Sequence, residues 1–584
     1  MDKKELYKLI KTAHGDIKAD LVIKHVNLVN VFTAEIQEDV DIAISDKWVA
    51  GIGRYEGKEE IDAKGMFAAP GFIDCHIHIE SSYLSPEELG RIIVPHGGTT
   101  IVADPHEIVN VCGIKGLDYM MKAAKNTKLD IKFQIPSCVP ATPFEDAGAV
   151  VTAADMAEPL TRENVLGLAE FMNYPGIISG ANPDLDKIIA AKSLSHKIID
   201  GHAPGVHGKD LTAYISSGIR DDHECESLLG MEERLRQGVY VMLRQGTVCH
   251  DLSNLVKGVT KGNSRRSLLC SDDRQPKTIL TLGHLDNSLR MCVEAGIDPI
   301  EAIRFATLNA AECFHMEDKG AIAPGYLADI VLLENLKDFK VRKVLAKGEL
   351  VANEGEYLPE FEKEPIDAVG GSIHIGDFSK EKFKMRLSSD EVWAIEILPG
   401  GVLTKKVKVK VKLDEKGEFI FDEKEDIVKV AVVERHKDTG KVGCGFIKGY
   451  GLKTGAIALS VAHDSHNLIV VGTNDDDMEF AINSLAEQKG GIVLVAGGKV
   501  VESMPMPIGG IMSDQSGEWV MERLNRITEA SRSALKISED VNPVMTLSFM
   551  SLCVIPEIKL TDRGLFDVPS FQFIPVEANG IHKE

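Results

Sequence analysis

Apolar positions change their spacing several times along the chain. Near the amino end Leu6, Ile10 and Ala13 recur at helical spacing before Gly15, which predicts a short helix. Val40, Ile42 and Ile44 then alternate with Asp39, Asp41 and Ala43, the period of a half-buried strand. From Phe67 onward, short apolar runs ending in polar residues alternate with helical stretches. FAAPGFIDCHIHI, GTTIVADPHE, IKFQIPSCVP, GLAEFMN, KIIDGHAPG, IRDDHE, VYVMLRQG and SLLCSDDR give eight candidate strands between residues 67 and 274. Eight such units are what a (β/α)8 barrel needs, and that architecture carries its chemistry at the carboxyl ends of its strands.

After about residue 320 the strand texture returns. Leu327 to Leu333 and Val341 to Val351 predict strands that finish a small sheet begun by residues 20–66. The acidic stretch EGEYLPEFEKEPID then reads as a linker. The expected fold class is α/β: a (β/α)8 TIM-like hydrolase barrel, a small β-sandwich built from both flanks, and an additional C-terminal α/β domain. Its boundaries are 1–66 and 320–360 for the small β domain, 67–319 for the barrel and 366–584 for the C-terminal domain. Within that last domain Val407, Val409, Val411 and Leu413 alternate with Lys406, Lys408, Lys410 and Lys412. An anion site is one reading of this lysine face; a solvated edge strand protected by charge is the favoured one.

Composition narrows the class. The chain has 584 residues, 44% of them hydrophobic, enough for large buried cores. At about 150 residues per domain it makes roughly four units, or three if one is a 250-residue barrel. Its formal net charge of -23 opposes general binding to phosphate backbones or anionic membranes. Ten cysteines are scattered with no C-x-x-C pair, which removes zinc ribbons and thioredoxin-type motifs. Reduced thiols in a cytoplasmic protein are the better reading. The start MDKKELYKLIKTAHGD reads as no signal peptide, and no apolar run approaches 18 residues, so neither secretion nor a membrane span is expected.

Candidate chemistry gathers at the predicted strand ends. In His76-Ile77-His78, positions i and i+2 of a strand point to one face, so both imidazoles can grip one ion. Two histidines at a half-exposed strand end are the bland alternative. Glu170 in the fourth strand, His202 and His223 at the ends of the fifth and sixth, and Asp272 at the end of the eighth sharpen the signal. Eight of the 18 histidines fall between positions 76 and 223, which supports a cluster without deciding it. Four histidines and two carboxylates suit Zn, Mn or Fe(II) rather than Ca or Mg.

With these residues the sequence resembles the metal-dependent amidohydrolase superfamily, including its small sheet in ADLVIKHVNLVNVFTAEI and KGAIAPGYLADIVLL. Within it, DCHIHIESS, VADPHEIVNV, SGANPD, DGHAPG, DDHE, SVAHDSHN and MPIGGIMSD resemble the bacterial and archaeal adenine deaminases over essentially the whole chain. Many superfamily members carry a carboxylated Lys on strand four; Glu170 departs from this and looks like the Glu version of the bridge. The resemblance implies two divalent metal ions, Mn2+ or Fe2+ with Zn2+ also acceptable; a single ion, with Glu170 binding substrate, stays open. It implies adenine and water as partners, no nucleic acid polymer and no membrane, and leaves a homo-oligomer (dimer or higher) open.

The implied reaction is hydrolytic deamination of adenine to hypoxanthine and ammonia, by a metal-activated hydroxide attacking C6. It needs a base for the attacking oxygen and an acid for the departing nitrogen. Asp272 is the choice for the base; the alternative is a metal ligand only. His106 and Glu107, from DPHE, take catalytic or binding roles, or else support His76 and His78 from behind. Asp104, Glu224 and Asp273 are candidates for substrate binding, as is Asn182, although turn formation by N-P-D competes for it. His207, His250 and His284 read as surface or packing residues. His463 and His466 read as a lid or a second metal site as one alternative. No C-x-x-C exists, so the zinc deaminase fold with H-x-E and P-C-x-x-C is excluded. A cyclic-amide hydrolase of hydantoinase or dihydroorotase type is the runner-up, and a non-catalytic metal-binding scaffold the third reading.

Overall fold

Eight parallel strands form the centre of the computed structural model, which describes residues 1–398 and 403–579. In order they are Phe72–Ile77, Gly98–Ala103, Asp130–Ile135, Val165–Phe171, Ile198–Gly201, Asp221–Asp222, Tyr240–Arg244 and Ser267–Cys270. The first five pair in sequence as one parallel sheet and the last three as another. A parallel bridge between Ile77 and Asp272 closes one seam. The other closes through the Arg220 amide, which donates to the Ile199 carbonyl at 3.0 Å. The strands are buried along nearly their whole length because barrel filling covers one face and helices the other.

The first predicted run is in fact two strands. Phe67–Pro70 belongs to a nine-stranded outer sheet, and the barrel begins only at Phe72. Gly71 lies between them, where a Cβ would sit 2.1 Å from the Thr99 hydroxyl, so only a glycine lets the chain step across. Phe67–Pro70 runs antiparallel to Ile330–Leu333 and parallel to Ala19–Asn30. The two flanks of the chain thus share one branched sheet, rolled around Ile23, Val26, Ile42, Leu332 and Leu345. The predicted N-terminal helix forms as Lys3–His14, capped by Asp2 and ended by Gly15 in the left-handed conformation. Its buried side is Leu9 and Thr12, however, and Leu6 and Ile10 are exposed.

Beyond the linker, an eight-stranded sheet carries the helices Asp475–Glu487 and Gly517–Ser533. Thr404–Lys410 is its edge strand, and Lys408 reaches Glu391 of the neighbouring strand at 2.6 Å, so the lysine face caps an edge. This region docks on the barrel: the Ser513 amide donates to the Tyr83 carbonyl (2.8 Å) and the Gly517 amide to Glu88 (2.8 Å). All ten cysteines are free thiols. Among the described residues no helix is long and apolar enough to cross a membrane.

Candidate metal centre

His76 and His78 leave the first barrel strand on one face and are buried. The Asp200 carboxylate lies 2.8 Å from His76 Nδ1, and the Asp104 carbonyl oxygen lies 3.1 Å from His78 Nδ1. Burial pushes the Asp200 carboxyl up, but His76 and His223 together pull it below the usual range. A backbone carbonyl and a carboxylate are acceptors, so both Nδ1 atoms carry a proton and Nε2 is the ring atom left to bind a cation. Those two Nε2 atoms face one another at 3.1 Å. Two ring nitrogens held that close fit a shared cation.

Asp272 completes this group from the barrel seam. Its backbone is left-handed (φ 56), its amide donates to the His76 carbonyl at 2.9 Å, and its Oδ1 lies 3.2 Å from His78 Nε2. Oδ2 accepts from Arg244 Nη1 at 2.7 Å. Burial opposes the charge on Asp272, but the His78 contact and Arg244 hold its carboxyl well below the ordinary range.

Glu170 faces a second group. Its Oε2 lies 3.1 Å from His223 Nε2 and pairs with His202 Nδ1, while Oε1 lies 3.5 Å from His78 Nε2. One carboxylate therefore spans two sets of donors, His76–His78–Asp272 and His202–His223. Ligand atoms converge within 4.8 Å in His76, His78 and Asp272, and again in Glu170, His202 and His223.

The remaining predicted residues sort by what they touch. Asp104 accepts from the His106 amide (3.0 Å) and faces its Nδ1 (3.1 Å), and His106 Nδ1 also stands 3.4 Å from Glu170. Burial opposes charge on His106, yet Asp104 and Glu107 raise its pKa well above the usual value. Glu107 has both oxygens engaged, by His463 Nδ1 and His466 Nε2 of the C-terminal region. Glu224 pairs with Arg244, and Asp273 accepts from the Ser81 hydroxyl. Burial, and then Asp272, push the Asp273 carboxyl up. Asn182 is the exception: it is exposed on the first turn of helix Asn182–Lys192, and the structure does not bring it to the centre. His207 and His250 are exposed, whereas His284 is fully buried behind the barrel, 3.0 Å from Asp74.

Two members of this site went unread in the sequence. Asp200 stands two residues before His202 in KIIDGHAPG, and Arg244 ends the seventh strand, the one strand of the later half given no candidate. Arg244 is buried and binds Glu224, Asp251 and Asp272 together. Its place at a strand's carboxyl end was the available signal.

Residues 67–351 match the model of the amidohydrolase family, and residues 401–572 match that of the adenine deaminase C-terminal domain. The chain is 56% identical over 578 residues to adenine deaminase 2 of Desulfotalea psychrophila, covering 99% of this chain and 100% of that protein. It is 50% identical to the adenine deaminase of Ligilactobacillus salivarius (99% and 100% covered) and 46% to that of Clostridium acetobutylicum (97% and 99%). By full-length likeness and by both matched domains, the chain belongs to the adenine deaminase family of the amidohydrolases.

Proposed function

We propose that the barrel mouth hydrolyses adenine to hypoxanthine and ammonia. The observation that carries this reading is Glu170 spanning two sets of donors in a chain alike over its full length to adenine deaminases. The facing Nε2 lone pairs of His76 and His78 fit a cation, and the mixed nitrogen and oxygen donors suit Mn2+, Fe2+ or Zn2+. We assign two ions: His76, His78 and Asp272 would hold one, His202 and His223 the other, with Glu170 shared. Bound there, divalent cations supply Lewis acidity and bring the pKa of water towards neutrality.

Asp272 takes a proton from the attacking water as its oxygen adds to C6, then passes that proton to the exocyclic nitrogen. The other water proton ends on ring N1, so ammonia leaves and the water oxygen stays as the 6-oxo group. Arg244 keeps Asp272 ionised and its Oδ2 fixed, leaving Oδ1 towards the centre. His106, set among the carboxylates of Asp104, Glu107 and Glu170, would supply a proton donor beside the reacting edge, while Glu224 and Asp273 would accept from ring N–H groups. Asp104 and Glu107 act by holding histidines.

We also assign catalysis to residues 67–319, the supporting sheet to 1–66 and 320–360, and a covering role to 366–584. Ten free thiols support a cytoplasmic setting. Ammonia release from adenine, adenosine, cytosine and hydantoin by metal-loaded protein tests the reading. Robust hydantoin turnover with none of adenine would refute it.

A further inference from the structure

Residues 462–467 of the C-terminal region lie against the barrel mouth, and Glu107 of the barrel engages two of their histidines. Glu107 lies in the first turn of the helix after the second barrel strand, and its two oxygens accept separately from His463 Nδ1 and His466 Nε2. All three side chains are buried. Two histidines and a carboxylate can make a metal site, so the question is which nitrogen carries the proton.

The backbone answers it at His466. Its Nδ1 accepts from the Ala462 amide at 3.2 Å, and an amide nitrogen only donates. In the neutral ring the proton therefore sits on Nε2, where it points at Glu107. A ligating imidazole has the reverse polarity, with Nδ1–H donating to an acceptor; His76 and His78 show that polarity and His466 does not. His463 is fixed on its other sides: its ring stacks on Phe549 with centroids 4.7 Å apart, and its amide donates to the Ser548 carbonyl at 2.9 Å. The segment is further held when the Asn467 amide group donates to the Asp146 carbonyl at 2.7 Å.

What the connection positions is the first of the two residues between the histidines. Asp464 is buried, its Oδ1 stands 3.8 Å from His106 Nε2, and its Oδ2 has no hydrogen-bond partner. His106 in turn lies 3.4 Å from Glu170. A carboxylate from the C-terminal region thus stands one imidazole away from the metal-bridging residue.

We propose that Glu107, His463 and His466 form a hydrogen-bonded clasp rather than a third metal site, and that the clasp makes Asp464 a positioning residue for His106. The C-terminal region is then a wall of the catalytic site. The kinetic part rests on the adenine-hydrolysing reading; the clasp itself does not.

The test uses the full-length, metal-loaded protein with His466→Gln, His466→Leu and Asp464→Asn. Metal per chain, kcat and KM for adenine, and backbone hydrogen exchange across 460–467 are measured together. His466→Gln keeps an N–H aimed at Glu107, so it retains kcat within about threefold and the full metal complement. His466→Leu removes the donor, lowers kcat about 10- to 100-fold with a smaller change in KM, and speeds exchange across 460–467 with metal content unchanged. Asp464→Asn lowers kcat while leaving exchange as it was. Loss of one metal equivalent in His466→Gln overturns the clasp, as do wild-type kcat and exchange in His466→Leu. If the leucine variant fails to fold, Glu107→Gln gives the same readout. Absence of adenine turnover in the wild type would remove the proposed function, while exchange and metal content still decide the clasp.

Discussion

Replacing Asp200 by Asn tests the support behind the metal ligands without touching a ligand. Asp200 is fully buried, accepts from His76 Nδ1 at 2.8 Å, and has Oδ1 3.9 Å from His223 Nδ1, so its charge lies near both donor groups while its hydrogen bond goes to one. Asn is isosteric and leaves no cavity, and its carbonyl oxygen can still accept from His76. What it loses is the charge that holds the His76 proton on Nδ1 and makes Nε2 the better donor. Removing such support costs about 10- to 100-fold in metal affinity, or ~1.4–2.8 kcal/mol. The surviving hydrogen bond places Asp200→Asn near tenfold, while Asp200→Ala, which strands a buried N–H, falls near 100-fold. Competition against a chelator of known affinity measures this, with kcat at saturating metal reported alongside. Unchanged metal affinity in Asp200→Asn would show that the tautomer argument for His76 is wrong.

Further outcomes follow from the same geometry. His202→Ala and Asp272→Ala each lower kcat for adenine by at least ~100-fold, checked by ammonia release at saturating metal. Chelation to metal-free protein abolishes turnover and added Mn2+ restores it; full activity with metal absence verified contradicts the mechanism. Arg244→Met strands the carboxylates of Glu224 and Asp272, at a cost of ~3–5 kcal/mol in stability seen by denaturant unfolding. Burial opposes charge on His463, but Glu107 raises its pKa from 6.5 to about 9. Because the folded value is the higher one, its contribution, ~3 kcal/mol, is complete below about pH 6.5 and gone once pH has risen through 9. The stability difference between wild type and His463→Gln should shrink across that window; a difference constant from pH 6 to 10 contradicts it.

The barrel was legible because each strand is covered on both faces and so reads as an apolar run that turns polar where it emerges. His76 and His78 were legible for the same reason, since strand alternation fixes their shared face. What the sequence hid depends on distance or on backbone detail. Glu107 and His463 are 356 positions apart, and neither local pattern hints at the other. Leu6 and Ile10 fit the helical period of their segment, but the sheet beneath it accepts Leu9 and Thr12 instead. The division of the first run at Gly71 follows from Thr99, a residue on the next strand. Asp200 and Arg244 resemble ordinary polar ends until the histidines and carboxylates they hold are seen in place.

The outer sheet has a consequence for how the chain is made. Phe67–Pro70 is flanked by Ala19–Asn30, already synthesised, and by Ile330–Leu333, which is not. The later strand is some 260 positions downstream, a delay of ~13–50 s at 5–20 residues per second. Throughout that interval the nascent chain carries an unfilled strand slot whose free edge includes Ala68 and Ala69 and leads directly into the barrel. Non-local pairing of this kind is slow and exposes apolar edges. Translation speed and chaperone supply therefore become determinants of yield for this protein, independently of how stable its finished form is.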